Sequence, residues 1–325
     1  ATGHVPSRDS FAYTPTLPVV VHHEWGAGMI AYAASRLGGA TGVLILRLAL
    51  TAGLCWVCWL AATRRGATMG LLRFTAIVAV LLADVGFATV RAQQYSFLCA
   101  ALLLLWLDRD RAGDGRWVWL WLPVTVLWAN VHAGVTFGLG LLAAHTAEQW
   151  LRRRPAGRLV GIGAAMVGLM AVNPWGWRYY SYLWRATTMP RPLVTEWAPL
   201  LQAADPLRLA LFVASLLVAG WTVWRTGWRR FEGLLVLLLT AAAALDSYRL
   251  VCFYAIAWFI YVPPALEAEL RQRPGGKALL DSYSPRDRMQ FVVWGCVAVL
   301  FVALAAGQQP WRLRVPGTPL AGEWL

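Results

Sequence analysis

Charge is what this chain has least of. Only 14% of its 325 residues are Asp, Glu, Lys or Arg, against about a quarter in soluble domains, which excludes a protein whose main solvent is water. Lysine is nearly missing, with Lys277 the single one, and the 16 acidic residues are outnumbered by 29 basic ones, leaving a formal charge of +13 carried by arginine. A nucleic-acid binder would gather such residues on one solvated surface. Here they lie in short stretches between apolar runs, so nucleic acid is not an expected partner and anionic lipid headgroups are the better match. Cysteine is sparse: Cys55, Cys58, Cys99, Cys252 and Cys296 all fall inside apolar runs, where a thiol behaves as a small hydrophobe. Cys55 and Cys58 form C-x-x-C, but between Trp56 and Trp59 they lack the accessible, electropositive setting that a redox pair needs. No basic-apolar signal segment opens the chain at Ala1, which leaves room for an upstream helix.

What the chain has in plenty is apolar length. It is 59% hydrophobic with a mean hydropathy of +0.53, and stretches of about twenty apolar residues, enough to cross a 30 Å hydrocarbon layer as helix, recur throughout. The runs are 40–62, 71–90, 96–107, 117–129, 134–150, 159–172, 207–224, 232–246, 248–262 and 289–307. Two are short and must borrow flanking residues, and 117–150 reads either as one tilted helix or as two broken at Asn130 to Gly134. Residues 22–37 form an amphipathic helix closed by Gly38 and Gly39, too short to span. The expected fold class is all-α, a polytopic transmembrane bundle of about nine or ten spanning helices plus an interfacial one. It forms a single membrane domain over 1–308, with an outer segment at 1–39, an outer loop at 173–206, a cytoplasmic connector at 263–288 and an outer tail at 309–325.

Sidedness follows from alternation. If 1–39 is outside, the connectors at 63–73, 108–116, 152–158, 225–230 and 263–288 are inside, and they carry eighteen of the 29 basic residues, as the positive-inside rule expects. The opposite face collects polar and aromatic groups, among them His22, His23, Glu24, Arg91, Gln93, Gln94, Asn130, His132, Glu196, Trp197, Asp246 and Arg249. Aromatics favour the interface by themselves, whereas converging carboxylates, imidazoles and amides commonly line a cavity.

Each polar group has a bland reading beside its chemical one. Asp9 is either a loop carboxylate or a base for an incoming hydroxyl. Glu24 favours a helix N-terminus electrostatically. With His22 and His23 it also raises a divalent cation, although neighbouring histidines point apart and no metal site is assigned. Arg91, near Gln93, either snorkels or grips a phosphate by forked hydrogen bonds. Asn130 and His132 either bond within the bundle or line the floor of a pocket. Asp246 and Arg249, three apart, are expected to form a structural ion pair, and Arg47 with Asp84 a buried one.

Taken in order, Asp9-Ser10-Phe11-Ala12-Tyr13-Thr14, His23-Glu24-Trp25, Leu127-Trp128-Ala129-Asn130-Val131-His132-Ala133-Gly134, Asn173-Pro174-Trp175-Gly176-Trp177-Arg178, Glu196-Trp197 and Ser247-Tyr248-Arg249 give a pattern that resembles bacterial GT-C-type membrane proteins, relatives of polyprenyl-phosphate-sugar glycosyltransferases. The resemblance runs to about residue 265, with Arg91-Ala92-Gln93 where the family commonly has Arg-Pro-Gln. It implies a lipid-linked sugar donor, a site opening on the non-cytoplasmic face of the bacterial inner membrane, a helix before Asp9, and Asp9 as catalytic base. His23, Glu24, Arg91, Gln93, Asn130, His132, Glu196 and Arg249 are then the expected substrate-binding residues. The rival expectations are a non-catalytic subunit touching lipid and other membrane subunits, and, behind it, a transporter, for which no inverted repeat is visible.

Overall fold

A computed structural model of the chain describes residues 20–87, 90–189, 194–276, 278 and 280. Asp9, the run 289–307 and the tail 309–325 lie outside them. The described residues contain helices and no strand: α1 (Trp25–Arg64), α2 (Met69–Ala83), α3 (Gln93–Arg111), α4 (Val118–Val131), α5 (Val135–Leu151), α6 (Gly157–Leu169), α7 (Arg178–Thr188), α8 (Leu200–Ala203), α9 (Pro206–Thr226), α10 (Leu234–Asp246) and α11 (Val251–Arg271). Every apolar run inside the described residues forms a helix. Among the described residues, four stretches are long and apolar enough to cross a membrane: Trp25–Arg64, Met69–Gly86, Pro206–Thr226 and Tyr248–Arg271.

Local sequence explains the boundaries. The α1 helix is interrupted where Gly38 and Gly39 leave helical geometry, Gly39 at φ 57°, a backbone region that only glycine enters cheaply. The stretch before the break is thus separate from the long apolar stretch after it. His132 is extended (φ −165°, ψ 142°), so 117–150 is two helices. Asp205 caps α9, its carboxylate accepting the Arg208 amide at 2.9 Å, with Pro206 in the first turn. The connector expected at 263–288 starts late, because α11 continues through Pro263 and Pro264 to Arg271.

The centre of the bundle is α11. All its residues from Val251 to Val262 are buried, and α1, α2, α3, α9 and α10 pack around it; a helix apolar on all sides belongs in such a place. The nine longer helices other than α7 run between two ends. At one, which holds His132, α1, α3, α5, α9 and α11 begin; at the other they finish, and four of them carry Arg64, Arg111, Arg225 or Arg271 in the last turn, where a cation offsets the negative pole of the helix.

The arginine-rich end is tied by carboxylates, Glu148 and Glu267 buried and Asp108 and Glu232 partly so. Glu148 accepts the amides of Gly233 and Leu235 at 2.8 and 3.0 Å, so α5 caps the start of α10, and it pairs with Arg152 at 2.8 Å. Glu267 does the same for α2, accepting the Thr68 amide at 2.6 Å and pairing with Arg271. Asp108 and Glu232 hold Arg65 and Arg111 between them.

Two expected ion pairs are corrected. Asp84 meets Arg208 at the start of α9, not Arg47: α1 packs on α3, α4 and α11, whereas α2 packs on α11 and α9, so the central helix stands between them. Asp246 and Arg249 do not pair, because Ser247 is extended (φ −144°, ψ 121°) and removes the helical spacing on which the expectation rested. Arg249 turns to Gln93 instead, donating to its carbonyl oxygen at 2.9 Å.

Candidate functional site

At the His132 end, the break between α4 and α5 lifts the His132 ring out of the helical ladder and against α3. Trp128 Nε1 donates to Ser96 Oγ at 2.7 Å, which leaves the Ser96 hydroxyl proton for His132 Nδ1, also at 2.7 Å. The Gly134 amide donates to the same nitrogen at 2.9 Å. Two donors on Nδ1 assign the tautomer: the single proton of the neutral ring sits on Nε2. That nitrogen faces Glu24 Oε1 at 3.6 Å. Burial pushes the His132 imidazole down to about 3, against which the Glu24 carboxylate works too weakly to charge it. A Cβ at Gly134 would press on Ser96 and His132, so glycine is required for this contact.

Glu24 precedes the first turn of α1 and is half exposed. It is held below the usual carboxylate range, first by its hydrogen bond with His23 and against the opposing effect of burial. His23 Nε2 lies 3.3 Å from Glu24 Oε1, while its Nδ1 lies 2.5 Å from the Tyr182 hydroxyl on α7, over whose ring it stacks at 5.0 Å. His23 thus bridges the Glu24 carboxylate and the Tyr182 hydroxyl. The result is one carboxylate approached by two imidazoles.

Three residues down α3 from Ser96 is Gln93. Its amide nitrogen donates to the Arg249 carbonyl at 3.3 Å and its oxygen accepts from the Arg249 side chain. The Arg249 guanidinium covers the Trp197 ring at 4.4 Å and lies 3.9 Å from Glu196. Glu196 is also paired with Arg91. The positive charge of Arg249 is felt by Glu24, and it helps to keep His132 neutral. A single polar seam therefore runs Tyr182, His23, Glu24, His132, Ser96, Gln93, Arg249, Glu196, Arg91.

Seven of the eight residues expected to bind substrate lie on this seam. The eighth, Asn130, supports it: its amide donates to the carbonyls of Val126 and Val172, each at 2.8 Å, and its oxygen accepts from Trp25 Nε1 at 3.0 Å. Both donors are used, so Asn130 pins the start of α1 and the end of α6 to α4. Asp9 lies outside the described residues. Ser96 and Tyr182 were not singled out from the sequence: a serine inside an apolar run and one tyrosine of Tyr179-Tyr180-Ser181-Tyr182 carry no local mark of their role.

His23, Glu24 and His132 bring their ligand atoms within 4.8 Å of one another, a spacing a divalent ion accepts. The chemistry fits less well. Ligation through His132 Nε2 would drive its proton to Nδ1 and break the bond from Gly134. The trio suits hydrogen-bonding to a polar ligand better than holding an ion.

Comparison with family models, with curated proteins and with solved structures found no match. Among the described residues, the fold and site define a helical protein with four helices long and apolar enough to cross a membrane and a carboxylate, imidazole and guanidinium seam at one end of the bundle.

Proposed function

We propose that this chain is a GT-C-type membrane glycosyltransferase of the bacterial cytoplasmic membrane, moving a sugar from a polyprenyl-phosphate carrier to an acceptor on the non-cytoplasmic face. The observation that carries the reading is the seam, which sets two arginines within reach of a carboxylate and two imidazoles at helix ends. An acceptor hydroxyl attacks the anomeric carbon, the bond from that carbon to the phosphate oxygen breaks with its electron pair leaving on the phosphate, and Asp9 takes the hydroxyl proton. Arg91 and Arg249 supply charge to the departing phosphate by forked hydrogen bonds. Glu24, His23, His132 and Glu196 orient sugar hydroxyls, the His132 Nε2–H as donor and the carboxylates as acceptors. The arginine-rich end then faces the cytoplasm, as the positive-inside rule asks.

The test is the full chain in proteoliposomes with a panel of polyprenyl-phosphate sugars, following release of polyprenyl phosphate. Asp9→Asn abolishes release without changing the melting temperature; full release by that variant removes the mechanism.

A second reading, a non-catalytic subunit of a membrane assembly, is favoured by one observation. Trp177 and Trp184, at the start and within α7 near the seam, turn most of their surface outward, which suits contact with lipid or another membrane subunit. Stable co-purification of a second membrane protein, with no release from any donor, would select it.

A further inference from the structure

The other end of the bundle holds a cavity that the transfer reaction does not use. It has a volume of about 560 Å³ and lies where α1, α3, α9 and α11 finish. Three of its arginines are matched to its three carboxylates: Arg65 and Arg111 to Asp108 and Glu232, and Arg225 to Glu269. Two more, Arg64 and Arg230, line it, and among the described residues neither has a carboxylate in ion-pair range. Thr226 lines it as well, with a buried hydroxyl that has no hydrogen-bond partner there. A buried hydroxyl beside those guanidinium groups is an incomplete site, because such a group costs free energy until something bonds to it.

We propose that this cavity binds the phosphate-bearing headgroup of an anionic phospholipid. Arg64 and Arg230 grip the phosphate oxygens by forked hydrogen bonds, and the Thr226 hydroxyl donates to the same group. The source is a lipid, not soluble phosphate, because of what surrounds the cavity. The α9 helix, which supplies Arg225 and Thr226, leaves most of its apolar length unburied. Trp224 and Trp228 stand outward at the same level, 74% and 49% exposed, with the Arg225 and Arg229 guanidinium groups over their rings. An aromatic and arginine rim of this kind marks the headgroup layer, and acyl chains would run down α9 from there. The inference rests on the chain being embedded in a membrane, and it holds whatever reaction the opposite end performs.

The experiment uses the full chain purified in detergent, with cardiolipin, phosphatidylglycerol, phosphatidylcholine or inorganic phosphate added separately. Retained lipid is read by native mass spectrometry, and the melting temperature is recorded alongside. Cardiolipin and phosphatidylglycerol are expected to stay bound and raise the melting temperature; phosphatidylcholine and inorganic phosphate are not. Arg64→Gln with Arg230→Gln should weaken retention by about tenfold or more, since each arginine near an anionic surface contributes on the order of 1 kcal/mol. Arg109→Gln with Arg116→Gln removes the same charge from the same end and should leave retention unchanged. Thr226→Val keeps every charge and should weaken retention a few-fold, which guards against a double variant that merely unfolds. Equal loss in both arginine pairs, retention of phosphatidylcholine as strong as of phosphatidylglycerol, or displacement of the lipid by inorganic phosphate would each overturn the proposal. Release of the wild-type chain from membranes by alkaline carbonate would overturn the membrane reading itself, an outcome separable from the others.

Discussion

The two ends of this bundle are built from the same residue types and use them in opposite ways. At the arginine-rich end the central carboxylates are dry: Glu148 and Glu267 are 4% and 1% exposed, and each caps the start of another helix while pairing with an arginine one turn on. At the His132 end the Glu24 and Glu196 carboxylates remain 48% and 24% exposed, and they meet imidazole or guanidinium groups from loops and helix starts. Carboxylates that satisfy helix termini have little capacity left for a ligand, whereas half-wet ones can exchange water for substrate at modest cost. Among these four, burial and not charge separates the two carboxylates that hold helix starts from the two open to chemistry.

The sharpest way to break that contrast is Glu148→Ala. It leaves Arg152 buried and two amides of α10 uncapped, and should destabilise the protein by about 3–5 kcal/mol, read as a large fall in melting temperature. A loss below about 1 kcal/mol would show that the dry end is not structural. Gly134→Ala, at the other end, should cost about 1–3 kcal/mol through overpacking and abolish transfer by displacing His132; wild-type transfer in a folded variant would detach His132 from the site. The pH dependence comes next. An unfolded chain protonates His132 near pH 6.5, the folded one only near 3. Stability is therefore full above the unfolded value and declines as pH falls between the two, at a slope of up to about 1.4 kcal/mol per pH unit. His132→Gln should flatten that slope in a denaturant titration repeated across pH. The smallest stability effect belongs to Glu196→Gln. Its partner Arg91 is 42% exposed, so less than about 1 kcal/mol is expected, while transfer should fall steeply. A stability loss to match Glu148→Ala would erase the difference between the ends.

Much of the architecture is legible along the chain because apolar length and periodicity are local properties. The helices, the break at Gly38-Gly39 and the gathering of arginines at alternate connectors all follow from residues read in order. The seam is legible only in part. His23, Glu24, Arg91, Gln93, His132, Glu196 and Arg249 stand out as polar groups next to apolar runs, but their partners do not. Ser96 looks like one more small residue in an apolar helix, and Tyr182 like one more interfacial aromatic. Asp84 was expected to pair with Arg47 as a buried charge, yet two buried positions on different helices need not be neighbours, and here α11 separates them. Asp246 and Arg249 failed for the opposite reason: a single extended residue, Ser247, undid a spacing that counting treats as helical.

By itself the sequence determined that this chain is helical, apolar and charged unevenly at its turns, since each of those properties belongs to a segment and survives whatever the segment packs against. Only the tertiary structure decided which carboxylates are sealed and which stay open, which nitrogen of His132 carries its proton, and which arginine Asp84 meets. These depend on groups brought together from distant helices, and the energy of a buried charge or a shared proton is set by such neighbours and not by its place in the chain.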